Sequence, residues 1–265
     1  MSIERTTLCW EYDGTFNGFM TIIDQAFTRK QFPAIILTAA NAMESLFTGE
    51  WIETDERQAE KILHRLQQRL TITNFQFIHD GFYATIENKE LHLLEAIKIA
   101  LNTRDSLENF IGNPCVLAVT NGLKTLFGEA HNYKGFVRFE YVGSLLFSKV
   151  TPKHFSLPYI CPHFAKRYPL ESIIIYDTTH RLLALIEKGN ISFIEDVDCP
   201  KFDQQKKEDL IQSQWQAFLS AVTIQERANK NSQLNHLPLR FRDHMIDFAQ
   251  TDRLNTKSRT ELNKE

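Results

Sequence analysis

The side chains that could carry chemistry are concentrated between Gly128 and Asp177. This stretch holds three histidines and two arginines among several aromatic residues. Imidazole titrates near neutral pH and carboxylates bind hard cations, so such residues suit acid–base catalysis or a metal site. The candidate catalytic residues are Glu129, His131, His163 and Asp177.

The spacing of these candidates is irregular. The chain has no HExxH motif, no pair of histidines at i and i+4, and no glycine-rich phosphate loop. Structural hydrogen bonding is therefore the main alternative to both chemistries. The four cysteines lie far apart without CxxC spacing, which favours reduced thiols over a zinc ribbon, an iron–sulfur cluster or disulfides. We expect no metal and no cofactor.

A second group of side chains suits nucleic-acid binding. The cations that could neutralise phosphates are Arg138, Lys166, Arg167, Arg227, Arg240 and Arg242. The aromatic rings that could stack on bases are Phe139, Tyr141, Tyr168 and Phe241. Core packing is the alternative for Phe139 and Phe241, because large apolar rings are usually buried.

Charge is distributed unevenly along the chain. The net charge is −3, and residues 1–103 hold nine Lys or Arg against fourteen Asp or Glu. Residues 124–181 reverse this balance, with eight basic and four acidic side chains and four histidines. A local positive face is therefore compatible with an acidic protein, although an ordinary solvated surface has the same signature.

The first half of the chain reads as one strand followed mainly by helices. The strand around Trp10 ends at Asp13-Gly14, and Thr15 then caps an amphipathic helix that Pro33 stops. Further helices are predicted after a cap at Thr54 or Asp55, from Lys89, and from near Pro114. FQFIHDGFYAT is either extended around a turn or part of the helix after it.

The second half reads as strands joined by turns. Gly135 precedes a strand that places Arg138 at its centre, where Glu140 or an anionic ligand would balance the charge. A hairpin at Gly143-Ser144, a short helix and a three-stranded meander follow, and a helix around Trp215 would cover the sheet. We predict an α+β fold with a mostly antiparallel sheet of five or six strands packed with helices.

These elements indicate a single α+β domain over residues 1–250 and a polar flexible tail over residues 251–265. No signal peptide pattern is visible, and no apolar run approaches the roughly 18 residues that span a bilayer. We expect a cytoplasmic protein that does not bind a membrane.

Three stretches carry a family resemblance: EYDGTFNGFMTIIDQAFTRKQFP, GFVRFEY with PHFAKRYP and YD, and WQAFLSAVTIQERANKNSQLNHLPLRFRDHM. In this order, from about Thr7 to Met245, the sequence resembles a bacterial family of DNA-metabolism proteins that carry a domain of unknown function. The matching residues are Tyr12, Asp13, Gly14, Gly18, Phe19, Glu129, His131, Arg138, Phe139, Pro162, His163, Phe164, Arg167, Tyr176, Asp177, Trp215, Glu226, Arg227, Pro238, Arg240 and Phe241. Ile174 and Lys230 depart from the family pattern, which has tryptophan and proline there.

The resemblance implies a role in DNA repair or modification. Members are often encoded beside a radical-SAM protein with a helix-hairpin-helix domain, and some are fused to a uracil-DNA-glycosylase-like domain. The resemblance supplies no reaction and no catalytic residues.

Three hypotheses follow. The first is a DNA repair or modification component that binds nucleic acid and acts with a radical-SAM helix-hairpin-helix partner. The second is a stand-alone enzyme that uses His131, His163 and Asp177 for acid–base or metal-assisted chemistry. The third is a noncatalytic protein–protein adaptor.

Overall fold

The structure is a computed structural model that describes residues 8–39, 49–200, 214, 237–242 and 245. The chain divides into two compact units, Met1–Leu126 and Phe127–Glu265, and each is described by itself. The predictions for the helix around Trp215, for Arg227 and for the tail lie outside the described residues. The expectation of a single domain up to residue 250 stays a prediction.

The first unit is built on a parallel sheet. In the described residues its strand order is β2-β1-β3, with β1 at Cys9–Tyr12, β2 at Ile35–Thr38 and β3 at Glu50–Trp51. Helix α1 (Phe16–Arg29) connects β1 to β2, and the Thr15 hydroxyl caps it by accepting the Gly18 N–H at 2.9 Å. This is a βαβ unit, because a parallel neighbour requires a crossover between the two strands.

Helices follow the parallel sheet. They are α2 (Glu56–Arg69), α3 (Ile72–Tyr83), α4 (Lys89–Asn102), a 3₁₀ turn (Leu107–Phe110) and α5 (Pro114–Phe136). The division between the units falls within α5.

Helix α3 is a separate helix at the place where the sequence allows a turn around Asp80-Gly81. Gly81 lies inside it, and a Cβ there would come within 2.9 Å of Leu93 and Val119 side-chain carbons. The glycine therefore permits close packing rather than a turn.

The second unit contains a mixed sheet in the order β4-β5-β6-β7-β8. Its elements are β4 (Glu140–Val142), β5 (Leu145–Val150), α6 (Leu157–Arg167), β6 (Ser172–Asp177), β7 (Leu182–Glu187) and β8 (Asn190–Ile194). The β4–β5 turn contains Gly143 at φ +64°, and β6, β7 and β8 form an antiparallel meander. Strands β5 and β6 are parallel, with α6 in the connection between them.

The α+β class is confirmed, but a single, mostly antiparallel sheet of five or six strands is wrong. The described residues form two sheets, one wholly parallel and one mixed. Short turns mark hairpins in the sequence, so the pairs β4–β5, β6–β7 and β7–β8 follow from it. The parallel pairing of β5 with β6 has no such local sequence pattern, because it depends on how the connecting helix packs back onto the sheet.

The core of the second unit lies around α6 and the sheet. Apolar side chains of α6, including Ile160 and Phe164, form one buried cluster with Ile173, Ile175 and Ala184 of the central strands. All four cysteines of the chain are free thiols. None of the helices in the described part of the chain has the length and apolar character needed to cross a membrane.

Candidate functional site: a basic groove

Glu129 is a buried acid that organises a loop. It lies on α5 and is 1% exposed. Its carboxylate accepts the backbone N–H groups of Lys153 and His154, each at 3.0 Å, and the Ser156 hydroxyl at 3.3 Å. The Arg240 guanidinium lies 3.6 Å away. Glu129 thus satisfies the backbone of the segment between β5 and α6, which is a structural role.

Asp177 is the second buried acid. It ends β6, is fully buried, and accepts the N–H groups of Thr179 at 2.8 Å and His180 at 3.1 Å. Its other oxygen lies 2.6 Å from His180 Nδ1. Asp177 therefore holds the turn into β7 and orients the His180 ring.

The two histidines proposed from the sequence are differently placed. His131 is exposed on α5. His163 is half-buried on α6, and its Nε2 has no hydrogen-bond partner among the described residues. Burial, followed by the charges of Arg167 and Lys134, lowers the pKa of His163. Asp177 thus pairs with His180 rather than with either predicted histidine.

Sequence reasoning missed His154 and His180. The sequence could have identified His180, because an Asp three residues earlier at a strand end commonly caps the turn that follows. It could not have identified His154, because Glu129, which accepts its backbone N–H, lies 25 residues away. The described residues contain no group of three His, Cys, Asp or Glu side chains that could hold a metal ion. Acid–base catalysis by Glu129, His131, His163 and Asp177 stays a prediction.

The burial of His154 predicts a loss of stability in acid. His154 is 2% exposed, and burial lowers its pKa; Lys153, Arg240 and His180 act in the same direction, and Glu129 opposes them. Because its pKa is lowered, the ring takes up a proton at a lower pH in the native protein than in the unfolded chain, where the ordinary value is about 6.5. His154 therefore leaves the free energy of unfolding unchanged above about pH 6.5. Below that pH it lowers this free energy by up to about 1.4 kcal/mol per pH unit.

Melting temperatures between pH 7.5 and 5 measure this effect. We expect the wild-type protein to lose more stability over this range than His154→Gln does. His131→Gln is the control, because that ring is exposed. Parallel pH profiles for the wild type and His154→Gln would contradict a buried neutral ring.

Two of the cationic candidates, Arg138 and Arg167, line one surface groove of about 390 Å³ in the second unit. We call it the basic groove; its lining includes Lys134, Arg138, Tyr141, Arg167, Tyr168 and Glu171. The end of α5, the segment before β4, β4 itself and the end of α6 supply these residues. The structure thus places Arg138 and Arg167 on the same groove.

Arg138 reaches the groove from a different backbone position than predicted. Its placement in the middle of a strand is wrong, because α5 continues through Gly135 to Phe136 and β4 begins only at Glu140. The exposed guanidinium donates through Nη1 to the carbonyls of Gly135 at 3.1 Å and Val137 at 3.2 Å. A cation at the carboxyl end of a helix is favourable. The other guanidinium nitrogens retain hydrogens to donate to a ligand.

Aromatic rings support the groove beside Arg167. Tyr168 lies parallel to Phe164 at 6.4 Å, and Phe139 meets both rings edge-on. The Arg167 guanidinium lies 5.6 Å from the centre of the Tyr168 ring. These three rings therefore form a packed aromatic cluster. Tyr141, which is also on the lining, is 49% exposed.

The remaining predicted nucleic-acid residues have mixed positions. Lys166 is exposed on α6, and the Arg240 side chain is half-exposed. Phe241 is 5% exposed, with its ring against Tyr133 at 4.9 Å and Phe136 at 5.5 Å, so it packs in the core. A cavity of about 10 Å³, about the minimum that can hold one water, is lined by Arg138, Arg240 and Phe241 among others. Arg138 therefore borders both the cavity and the basic groove.

Residues 87–247 match the family model described as a domain of unknown function, DUF4130. The match covers more than half of the chain, so the protein belongs to this family. It includes the basic groove and both buried acids. Neither the curated proteins nor the solved structures contain a significant match.

Proposed function

We propose that this protein binds nucleic acid through the basic groove. The observation that carries the proposal is that Arg138 and Arg167 line one groove together with Lys134 and an exposed tyrosine ring, Tyr141. Among the described residues of the lining, Lys134, Arg138 and Arg167 are cationic and Glu171 is acidic. The lining is therefore electropositive although the whole chain carries a net charge of −3.

The chemistry of these groups fits a nucleotide strand. A guanidinium is planar and donates two hydrogen bonds to one phosphate, and it remains charged at every physiological pH. Aromatic rings next to such cations stack on bases, which is the usual combination in grooves that hold single strands. The Tyr168 ring, which packs with Phe139 and Phe164, lies 5.6 Å from the Arg167 guanidinium, within range of a cation–π contact.

The wider role we propose is that of a cytoplasmic component of DNA repair or modification, acting with a radical-SAM helix-hairpin-helix protein. Its support is the sequence resemblance to DNA-metabolism proteins, which places the groove residues Arg138 and Arg167 within the shared pattern. In this proposal the groove holds the DNA strand, and the partner supplies the reaction.

Titration of a fluorescent single-stranded oligonucleotide at several salt concentrations tests the binding role. Each phosphate contact displaces counterions, so the logarithm of the binding constant should fall linearly with the logarithm of salt concentration. With two or three contacts we expect a slope of about −1.4 to −2. Arg65→Ala is the control, because Arg65 is exposed on α2 in the other unit. Failure to bind, or binding that salt does not weaken, would refute the proposal.

A further inference from the structure

Two side chains of the basic groove are not explained by phosphate binding. Tyr141 leaves about half of its surface exposed, and no described ring packs against it. Glu171 is an acidic residue on a lining that also holds Lys134, Arg138 and Arg167. A groove for phosphates alone would gain from losing this negative charge, so both residues point to the other part of a nucleotide, the base.

Tyr141 is positioned to take a base on its ring. It lies on β4, the strand at one end of the described sheet order, and the neighbouring rings of Phe139 and Tyr168 pack on Phe164 instead. A base stacks on such a free face only when it is unpaired and turned out of a helix. The groove volume of about 390 Å³ lies at the lower end of the usual range for ligand sites, about 300–1,000 Å³, which suits one nucleotide.

Glu171 selects among the bases by their donors. An ionised carboxylate only accepts hydrogen bonds, and its two oxygens accept best from two parallel N–H groups. The Watson–Crick edge of guanine presents N1–H and the N2 amino group side by side. Adenine and cytosine set an acceptor nitrogen beside their amino group, and thymine sets its N–H between two carbonyls.

We propose that the basic groove recognises an unpaired guanine in a single strand. This inference rests on the proposed nucleic-acid binding and deepens it. Tyr141 stacks on the base, Glu171 accepts from N1–H and the N2 amino group, and Arg138 and Arg167 contact the flanking phosphates. Duplex DNA is a poor ligand for this site, because pairing occupies the edge that Glu171 reads.

Fluorescence anisotropy with three oligonucleotides tests the base reading. They are a dodecamer of thymidine, the same strand with one central guanine, and the same strand with hypoxanthine, which lacks the N2 amino group. We expect the guanine strand to bind about tenfold more tightly than the thymidine strand, with hypoxanthine between them. In Glu171→Gln this preference should largely disappear, whereas Glu187→Gln, an exposed carboxylate outside the groove, should retain it.

A second comparison tests the stacking. Tyr141→Leu should weaken binding of every single strand by about tenfold, and Tyr141→Phe should bind like the wild type. Circular-dichroism melts of each variant establish that it is folded. A duplex containing the same guanine should bind more weakly than the single strand and should not respond to Tyr141→Leu.

The outcomes separate this inference from the proposed function. Equal binding of the guanine and thymidine strands, or a preference that persists in Glu171→Gln, would overturn the reading of guanine while leaving groove binding intact. Equal single-strand and duplex affinity that is unchanged in Tyr141→Leu would overturn the stacking. If the wild-type protein does not bind nucleic acid, both the proposed function and this inference are refuted.

Discussion

Replacing Glu129 with alanine is expected to destabilise the second unit by about 3 kcal/mol. The substitution leaves the buried N–H of His154, the N–H of Lys153 and the Ser156 hydroxyl without their acceptor. Each unsatisfied buried polar group costs about 1–3 kcal/mol. The pair with Arg240 adds little, because that side chain is half-exposed and solvent screens the interaction.

Urea unfolding of Glu129→Ala measures this loss, with Glu187→Ala as the control for an exposed carboxylate. Glu129→Gln should lose less than Glu129→Ala, because its amide oxygen still accepts one of the bonds. A change below about 0.5 kcal/mol for Glu129→Ala, which is typical of surface substitutions, would contradict a structural role for Glu129.

Much of the helical framework follows from the sequence because its signals are local. Helix α1 begins at the predicted Thr15 cap, and α2 and α4 appear where apolar residues recur at helical spacing. The parallel pairing of β5 with β6 does not follow, since it depends on where α6 packs after the chain leaves β5. The end of α5 is missed for another reason: a glycine costs a helix only about 1 kcal/mol, so Gly135 does not stop it.

For the candidate site, the sequence identifies residue types better than contacts. The sequence singles out Glu129 and Asp177 as candidate catalytic acids, and the structure shows both to be buried. Their partners include backbone amides and His180, and the long-range contacts of Glu129 are not encoded in the local sequence. Arg138 and Arg167 come to one groove because the chain returns through α6 directly after the β4–β5 hairpin, an order of elements that the sequence predicts. The sequence identifies Tyr141 as a stacking candidate. Nothing in the sequence marks Glu171, whose position on the groove lining is known only from the structure.

Replacing Arg138 and Arg167 together with alanine is expected to weaken single-stranded DNA binding by about 100-fold at low salt. A hydrogen bond to a charged partner contributes about 1.5–3 kcal/mol, so each arginine accounts for about tenfold or more. The loss should be similar for different sequences, because phosphates carry no sequence information. The melting temperature should change little, since both side chains are exposed.

The salt slope of this double variant, Arg138→Ala/Arg167→Ala, tests binding through the basic groove most directly. Measured on one single-stranded oligonucleotide, the slope should be less steep than that of the wild type by about 1.4, or about 0.7 for each lost phosphate contact. The single variants should each account for about half of this change. An unchanged slope, accompanied by a large drop in melting temperature, would show that these arginines maintain the fold and do not bind nucleic acid.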